Sequence, residues 1–157
     1  MRRIIYILAN VILSAIIFAS CSGVDEENTV NGFEYVDLGL PSGTKWAASN
    51  IGAKVPESTG SYFAWGEISE SNYTEAECET CNLSVSDLTK HEIIKSLRLT
   101  ADYDAATYNM GIGWQTPTKQ QYEELKSNCT WMWQDKLSGY KIVAKNGKSI
   151  FLPTTRY

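Results

Sequence analysis

Apolar and polar positions divide the chain into segments of different period. Met1-Arg2-Arg3 is followed by an apolar run from Ile4 to Phe18, broken only by Asn10 and Ser14. Residues 22–32 show no apolar periodicity and carry Asp25, Glu26 and Glu27, the composition of a solvated tether. Phe33 to Leu38 alternates as a strand does, and Pro41-Ser42-Gly43 marks a turn. Lys45 to Ser49 predicts a second short strand carrying Trp46. Ser61 to Trp65 is a third aromatic stretch, closed by Gly66. Residues 66–90 are polar and poorly periodic, which predicts a long surface excursion; loops of that length are uncommon unless they serve a function.

The second half is more regular. Ala101 to Asn109 favours a helix that stops before Gly111 and Gly113. Thr118 is followed three residues later by Gln121, the spacing of a capping box, which satisfies otherwise orphaned amides at the start of a helix. Tyr122 and Leu125 then share one face, and Asn128 ends the segment. Tyr140 to Lys145, Asn146-Gly147, and Lys148 to Leu152 read as a hairpin with a two-residue type I′ turn. That turn would set Val143 opposite Ile150 and Ile142 opposite Phe151. Apolar residues fall on both faces, so the hairpin should be sandwiched.

The leader decides the compartment. Two positive charges, an apolar run too short for the about 20 residues of a spanning helix, and a small-residue exit match a secretory signal over residues 1–20. The exit, Phe18-Ala19-Ser20-Cys21, resembles a lipobox, with Phe18 where such motifs prefer leucine. It implies cleavage before Cys21 and lipid (diacylglycerol and a further fatty acid such as palmitate) on that cysteine, since stable anchoring needs more than one acyl chain. Loss of residues 1–20 takes the basic count from 14 to 12 against 18 acidic residues, a net charge of −6. Such a chain has no electrostatic footprint for nucleic acid. Its membrane contact is through Cys21. The acidic cluster after Cys21 resembles the surface-export signal of Bacteroidetes lipoproteins, which implies the cell outer membrane.

With Cys21 lipidated, Cys78, Cys81 and Cys129 remain, and three thiols cannot all pair within one chain. One structural disulfide is expected in an oxidising compartment, joining Cys129 to Cys78 or Cys81 in preference to a strained Cys78–Cys81 bridge. Cys78-Glu79-Thr80-Cys81 has redox-motif spacing but lies among Glu75, Glu77 and Glu79, outside a strand-to-helix setting. A zinc site would need four ligands, and His91 is the single histidine, so no metal or cofactor is expected. His91 has no partner motif around it. Glu67 with Glu70 and Asp102 with Asp104 are carboxylate pairs without a sequence-level geometry for acid–base work. The chain reads as non-catalytic.

Tyr35-Val-Asp-Leu-Gly-Leu-Pro-Ser-Gly-Thr-Lys-Trp-Ala47 and Gly60-Ser-Tyr-Phe-Ala-Trp-Gly-Glu67 form two long blocks. Trp114-Gln-Thr-Pro-Thr118, Glu124-Leu125, Asn128-Cys-Thr-Trp131, Gly139-Tyr-Lys141 and Asn146 to Pro153 follow. Together they resemble the Fibrobacter succinogenes major paralogous domain over nearly all of residues 34–157. With the lipid-anchored tether over 21–32 read from its composition, the resemblance implies, over 33–157, an α+β domain of C-type-lectin-like fold with two helices and a small twisted antiparallel sheet. Gln115 and Thr116 depart from the family, which has arginine and then leucine or methionine there. Family members continue for about 50 residues beyond the Leu-Pro segment, ordinary for a domain of this size. The resemblance therefore implies a domain incomplete at its C-terminus, with Ile150 and Phe151 short of cover. The related formylglycine-generating enzymes use a cysteine pair late in the domain, whereas Cys78 and Cys81 lie early.

Five tryptophans and nine tyrosines are an unusual aromatic load. Most should be core. Trp65, Trp131 and Trp133 are candidates for a ligand surface, because aromatics beside amides and carboxylates suit stacking and hydrogen bonding to sugars. The leading expectation is a surface-anchored, non-catalytic binding or structural module, with sugar binding as the first functional alternative to a purely structural role. The alternatives are a protein-binding adhesin or envelope assembly component and, behind it, a formylglycine-generating-like remnant.

Overall fold

The computed structural model describes residues 28–70 and 78–154. The leader, Cys21 and the acidic cluster at 25–27 lie outside the described residues, as do Glu75 and Glu77. The described chain is α+β, with small antiparallel sheets and short helices.

Regular structure begins earlier than composition indicates. Thr29–Val30 (β1) pairs with Phe33–Val36 (β2), so the last residues assigned to the tether belong to a hairpin. Asn31 and Gly32 have φ of 54° and 81°, the positive pair that a type I′ turn requires. The hairpin is tied to the distant chain by Asn31 Nδ2, which donates to the carbonyls of Met110 (3.0 Å) and Ile112 (2.8 Å). β2 also pairs with Trp46–Ala47 (β3), Val36 opposite Trp46.

Between β2 and β3, Leu38 and Leu40 both enter the core, with Gly39 at φ 64° between them. The loop is fastened from two sides. Ser42 donates its amide and hydroxyl to the Glu124 carboxylate at 2.7 and 2.6 Å, and Asn146 Nδ2 donates to the Asp37 carbonyl at 2.9 Å. Those bonds explain why a Leu-Gly-Leu-Pro-Ser-Gly run, poor in regular structure, holds one shape.

The polar excursion contains more structure than its pattern announces. Val85–Lys90 (α1) starts at Ser84, whose hydroxyl accepts from the Asp87 amide. Ile94–Lys95 (β4) and Arg98–Leu99 (β5) follow as a hairpin. Leu88, Ile93 and Ile94 form a small second core beneath Leu83, Leu99 and Tyr103. Among the described residues α1 thus adds a third α-helix to the two expected. The helix expected over 101–109 is divided at Asp104 into a 3-10 turn, Ala101–Tyr103, and Ala105–Met110 (α2). Asp104 sits in extended backbone and caps α2, accepting from the amides of Ala106 and Thr107.

Lys119–Asn128 (α3) carries the expected capping box, with Thr118 and Gln121 bonded reciprocally. It leads directly into Cys129–Gln134 (β6), Gly139–Ala144 (β7) and Ser149–Pro153 (β8), an antiparallel sheet in that order. Here the expected register is corrected. Ile142 faces Ile150, Lys141 faces Phe151, and Val143 faces Ser149. The Ala144 amide donates to Lys148 and the Gly147 amide donates back to Ala144, leaving a three-residue loop with Gly147 at φ 82°. Asn146 keeps negative φ, and its side chain donates to the Asp37 carbonyl and accepts from the Lys148 amide. The turn is therefore type I with a glycine bulge, and each β8 residue moves one place relative to β7.

That shift places Ile142, Ala144 and Ile150 on one buried face with Leu125, Leu38, Leu40 and Trp46, the main core. Phe151 falls on the opposite face and is also buried, lying across Gly139. Both faces of β8 are covered, contrary to the shortfall expected for Ile150 and Phe151.

Candidate ligand-binding cleft

The loop that carries Trp65 is shaped by close backbone packing. Ser61 donates its amide to Ile51, and Gly60, at φ 69°, passes so near the Ile51 carbonyl that a Cβ would lie 2.3 Å from it. Gly66 is buried against Thr80, where a Cβ would meet the Thr80 side chain at 3.0–3.1 Å. Thr80 is itself buried; it donates its hydroxyl to the Trp65 carbonyl and its amide to Glu67 Oε1 at 3.2 Å. These contacts fix the backbone on either side of Trp65, while the residue stays 46% exposed.

This loop forms one wall of a cleft of about 1450 Å³. The other walls come from β3, β5, α2 and the segment that runs from Gly113 into α3. Tyr62 and Tyr122 join Trp65 as aromatics that are more than two-fifths exposed on its walls, with the half-buried Trp114 between elements. Asn50, Glu67, Gln115 and Gln121 supply amide and carboxylate groups along the same surface. Small-molecule pockets usually run to about 300–1,000 Å³; this cleft is larger and half open to solvent.

Trp131 and Trp133 lie elsewhere. They stand on β6, on the face shared with Ile142, where Trp133 and Tyr140 are cross-strand partners with ring centroids 5.0 Å apart. Trp131 packs edge-on between Tyr140 (5.7 Å) and Tyr122 (5.8 Å). Its ring is half-buried and its indole N–H is buried without a protein partner, so Trp131 belongs largely to the core. Trp133 is exposed and donates to Asp135 at 2.7 Å. The three tryptophans singled out as one ligand surface thus fall into two groups, and Tyr122, which touches Trp131, also lines the cleft. Tyr62 and Tyr122 are not legible as cleft residues from sequence, because exposure in a loop and on a helix face leaves no periodic signature.

The cysteine pairing is corrected. Cys78 and Cys81 are bridged, with Cα atoms 5.4 Å apart, and Cys129 is free. Cys129 sits at the end of α3, packed against the main core, and burial raises its thiol above the ordinary range. A turn at residues 79–82 brings the two nearer cysteines together, with the Cys81 amide donating to Cys78 Sγ at 3.1 Å.

The carboxylate pairs are separated in role. Asp104 is buried and accepts from the amide and hydroxyl of Thr116 as well as from α2, whereas Asp102 is exposed. Thr116 engages Asp104 through both its amide and its hydroxyl. Glu67 holds Thr80, and Glu70 is exposed. His91 is exposed at the end of α1. Among the described residues no group of three histidine, cysteine or acidic side chains is placed to hold a metal ion, and no helix is long and apolar enough to cross a membrane.

No family model, curated protein or solved structure matches the chain significantly.

Proposed function

We propose that this chain is a lipid-anchored lipoprotein of the outer membrane, displayed at the cell surface, whose cleft binds an extended glycan without catalysis. The observation that carries the ligand class is the exposure of Trp65, Tyr62 and Tyr122 on the walls of one large cleft, beside amides and carboxylates. Exposed aromatic rings offer apolar faces to the C–H side of a sugar, and fixed polar groups orient its hydroxyls. The anchor is supported by the basic start, the short apolar run and the Ala19-Ser20-Cys21 exit. The finer fold reading, a C-type-lectin-like domain related to the Fibrobacter succinogenes major paralogous family, is supported by the blocks at 35–47, 60–67 and 114–153 and by their roles in fastening the loops. Non-catalytic action is supported by the structural employment of Asp104 and Glu67.

A protein-binding adhesin or assembly component is the second reading. It is favoured by Leu97 (80% exposed) and Ile112 (89% exposed), apolar side chains that also reach the cleft. A glycan array probed with the purified chain separates the two readings. Selective binding to sugars supports the first; silence on the array with capture of one envelope protein through the cleft supports the second. Fatty-acid labelling that marks the wild type and is lost in Cys21→Ala supports the anchor, and equal labelling of both would refute it.

A further inference from the structure

The Cys78–Cys81 bridge is asymmetric. Cys78 is 3% exposed, and Cys81 is open to solvent. One sulfur can be reached by an attacking thiolate while the other is shielded. Between the two cysteines stands Thr80, the residue that grips the carbonyl of Trp65 and the carboxylate of Glu67. Gly66 packs directly on Thr80. The covalent closure of residues 78–81 therefore holds the element that positions the Trp65 wall of the cleft.

We propose that Cys81 is a site of thiol–disulfide exchange with small thiols, and that opening the bridge releases Trp65 from its fixed position. An external thiolate attacks Cys81 Sγ, the S–S bond breaks, and its electron pair goes to Cys78 Sγ, which takes up a proton. A second thiolate then attacks the external sulfur of the mixed disulfide, releasing Cys81 as a thiol and the two external thiols as their disulfide. The protein gains two electrons and two protons, and the small thiols supply both. The site is built for this step. The Cys81 amide, 3.1 Å from Cys78 Sγ, steadies negative charge on the leaving sulfur. Once protonated, Cys78 finds acceptors in Thr80 Oγ1 at 3.5 Å and Glu67 Oε1 at 4.0 Å. Those are the same groups that hold Trp65, so the new S–H competes within the network that fixes the cleft wall.

The inference rests on the cleft reading only for the value it gives to Trp65, and its test needs no glycan. Oxidised glutathione added to the purified chain carrying Cys78→Ser should modify Cys81 about tenfold faster than it modifies Cys78 in a Cys81→Ser chain, because access sets the rate. Equal rates would overturn the proposed asymmetry. In the wild type, reduction by glutathione should raise amide hydrogen exchange at Ala64–Glu67 by about tenfold and leave Leu125 and Ile142 unchanged, the mark of local opening. Thr80→Val, with the bridge intact, should raise the same exchange without reductant. A bridge that opens only when the whole chain unfolds, or a reduced chain with unaltered exchange at Ala64–Glu67, refutes the proposal.

Discussion

Phe151 lies across Gly139 on the outer face of the β6–β7–β8 sheet, its ring occupying the space where a side chain at 139 would stand. A Cβ on Gly139 would sit 2.5 Å from Phe151 Cζ and 2.7 Å from the Leu152 carbonyl. Gly139→Ala should therefore destabilise by about 1–3 kcal/mol, the usual cost of overpacking. Urea denaturation at constant m-value measures it. A midpoint unchanged in Gly139→Ala would mean that Phe151 moves away at no cost.

Those two residues also mark what sequence could and could not provide. The hairpin at 140–152 and the helix at 119–128 are strongly patterned, and both are present. The register is not legible there because an Asn-Gly pair permits a type I′ turn without compelling one. Asn146 is recruited by the Asp37 carbonyl from more than a hundred residues away, a tertiary contact with no local trace. The other pair, Asn31-Gly32, forms the type I′ turn in a segment whose acidic composition suggests a tether. α1 had a legible start at Ser84-Val-Ser-Asp87, but its single buried residue, Leu88, gives no period to recognise. The cysteine pairing turned on a tight turn at 79–82, which an acidic, aperiodic stretch does not announce. For the candidate site, exposure decides everything. Trp65, Trp131 and Trp133 are alike in sequence, yet they divide between a cleft wall, a core edge and an exposed strand.

Asp104 joins α2 to the Trp114–Thr118 segment by accepting from Ala106, Thr107 and Thr116. Asp104→Ala removes a helix cap and leaves buried donors without a partner, at a cost of at least about 2 kcal/mol. Thermal unfolding of the variant checks this. Loss of less than half that amount would show that water replaces the carboxylate.

The β4–β5 turn places Ser96 and Leu97 at φ 51° and 61°, a conformation that strains side chains branched or bulky at this position. Replacing Ser96-Leu97 by Asn-Gly should stabilise the chain by roughly 1 kcal/mol, net of the greater freedom glycine gives the unfolded state. Calorimetry of the paired substitution is the check, and a lower melting temperature would contradict the strain.

Cys129 is the free thiol among the described cysteines, and burial raises its pKa. The thiolate is the reactive form, so a raised pKa means less of it near neutrality and slower alkylation. Cys129 should react with iodoacetamide more slowly than glutathione does at pH 8, and its rate should keep rising at higher pH after that of glutathione has levelled. Peptide mapping of timed reactions reports both. Rates matching glutathione throughout would show that the site is open.

The most direct test of the binding role is calorimetric titration of the purified chain with the strongest binder from a glycan array, alongside Trp65→Ala and Tyr122→Ala. Loss of stacking on one aromatic ring should weaken binding by about tenfold in each variant, on the scale of about 1–2 kcal/mol for a well-placed ring. Both variants should still unfold cooperatively, Tyr122→Ala at a lower temperature than the wild type because it also loses the edge contact with Trp131. Wild-type affinity in Trp65→Ala and Tyr122→Ala would show that the cleft does not hold the glycan.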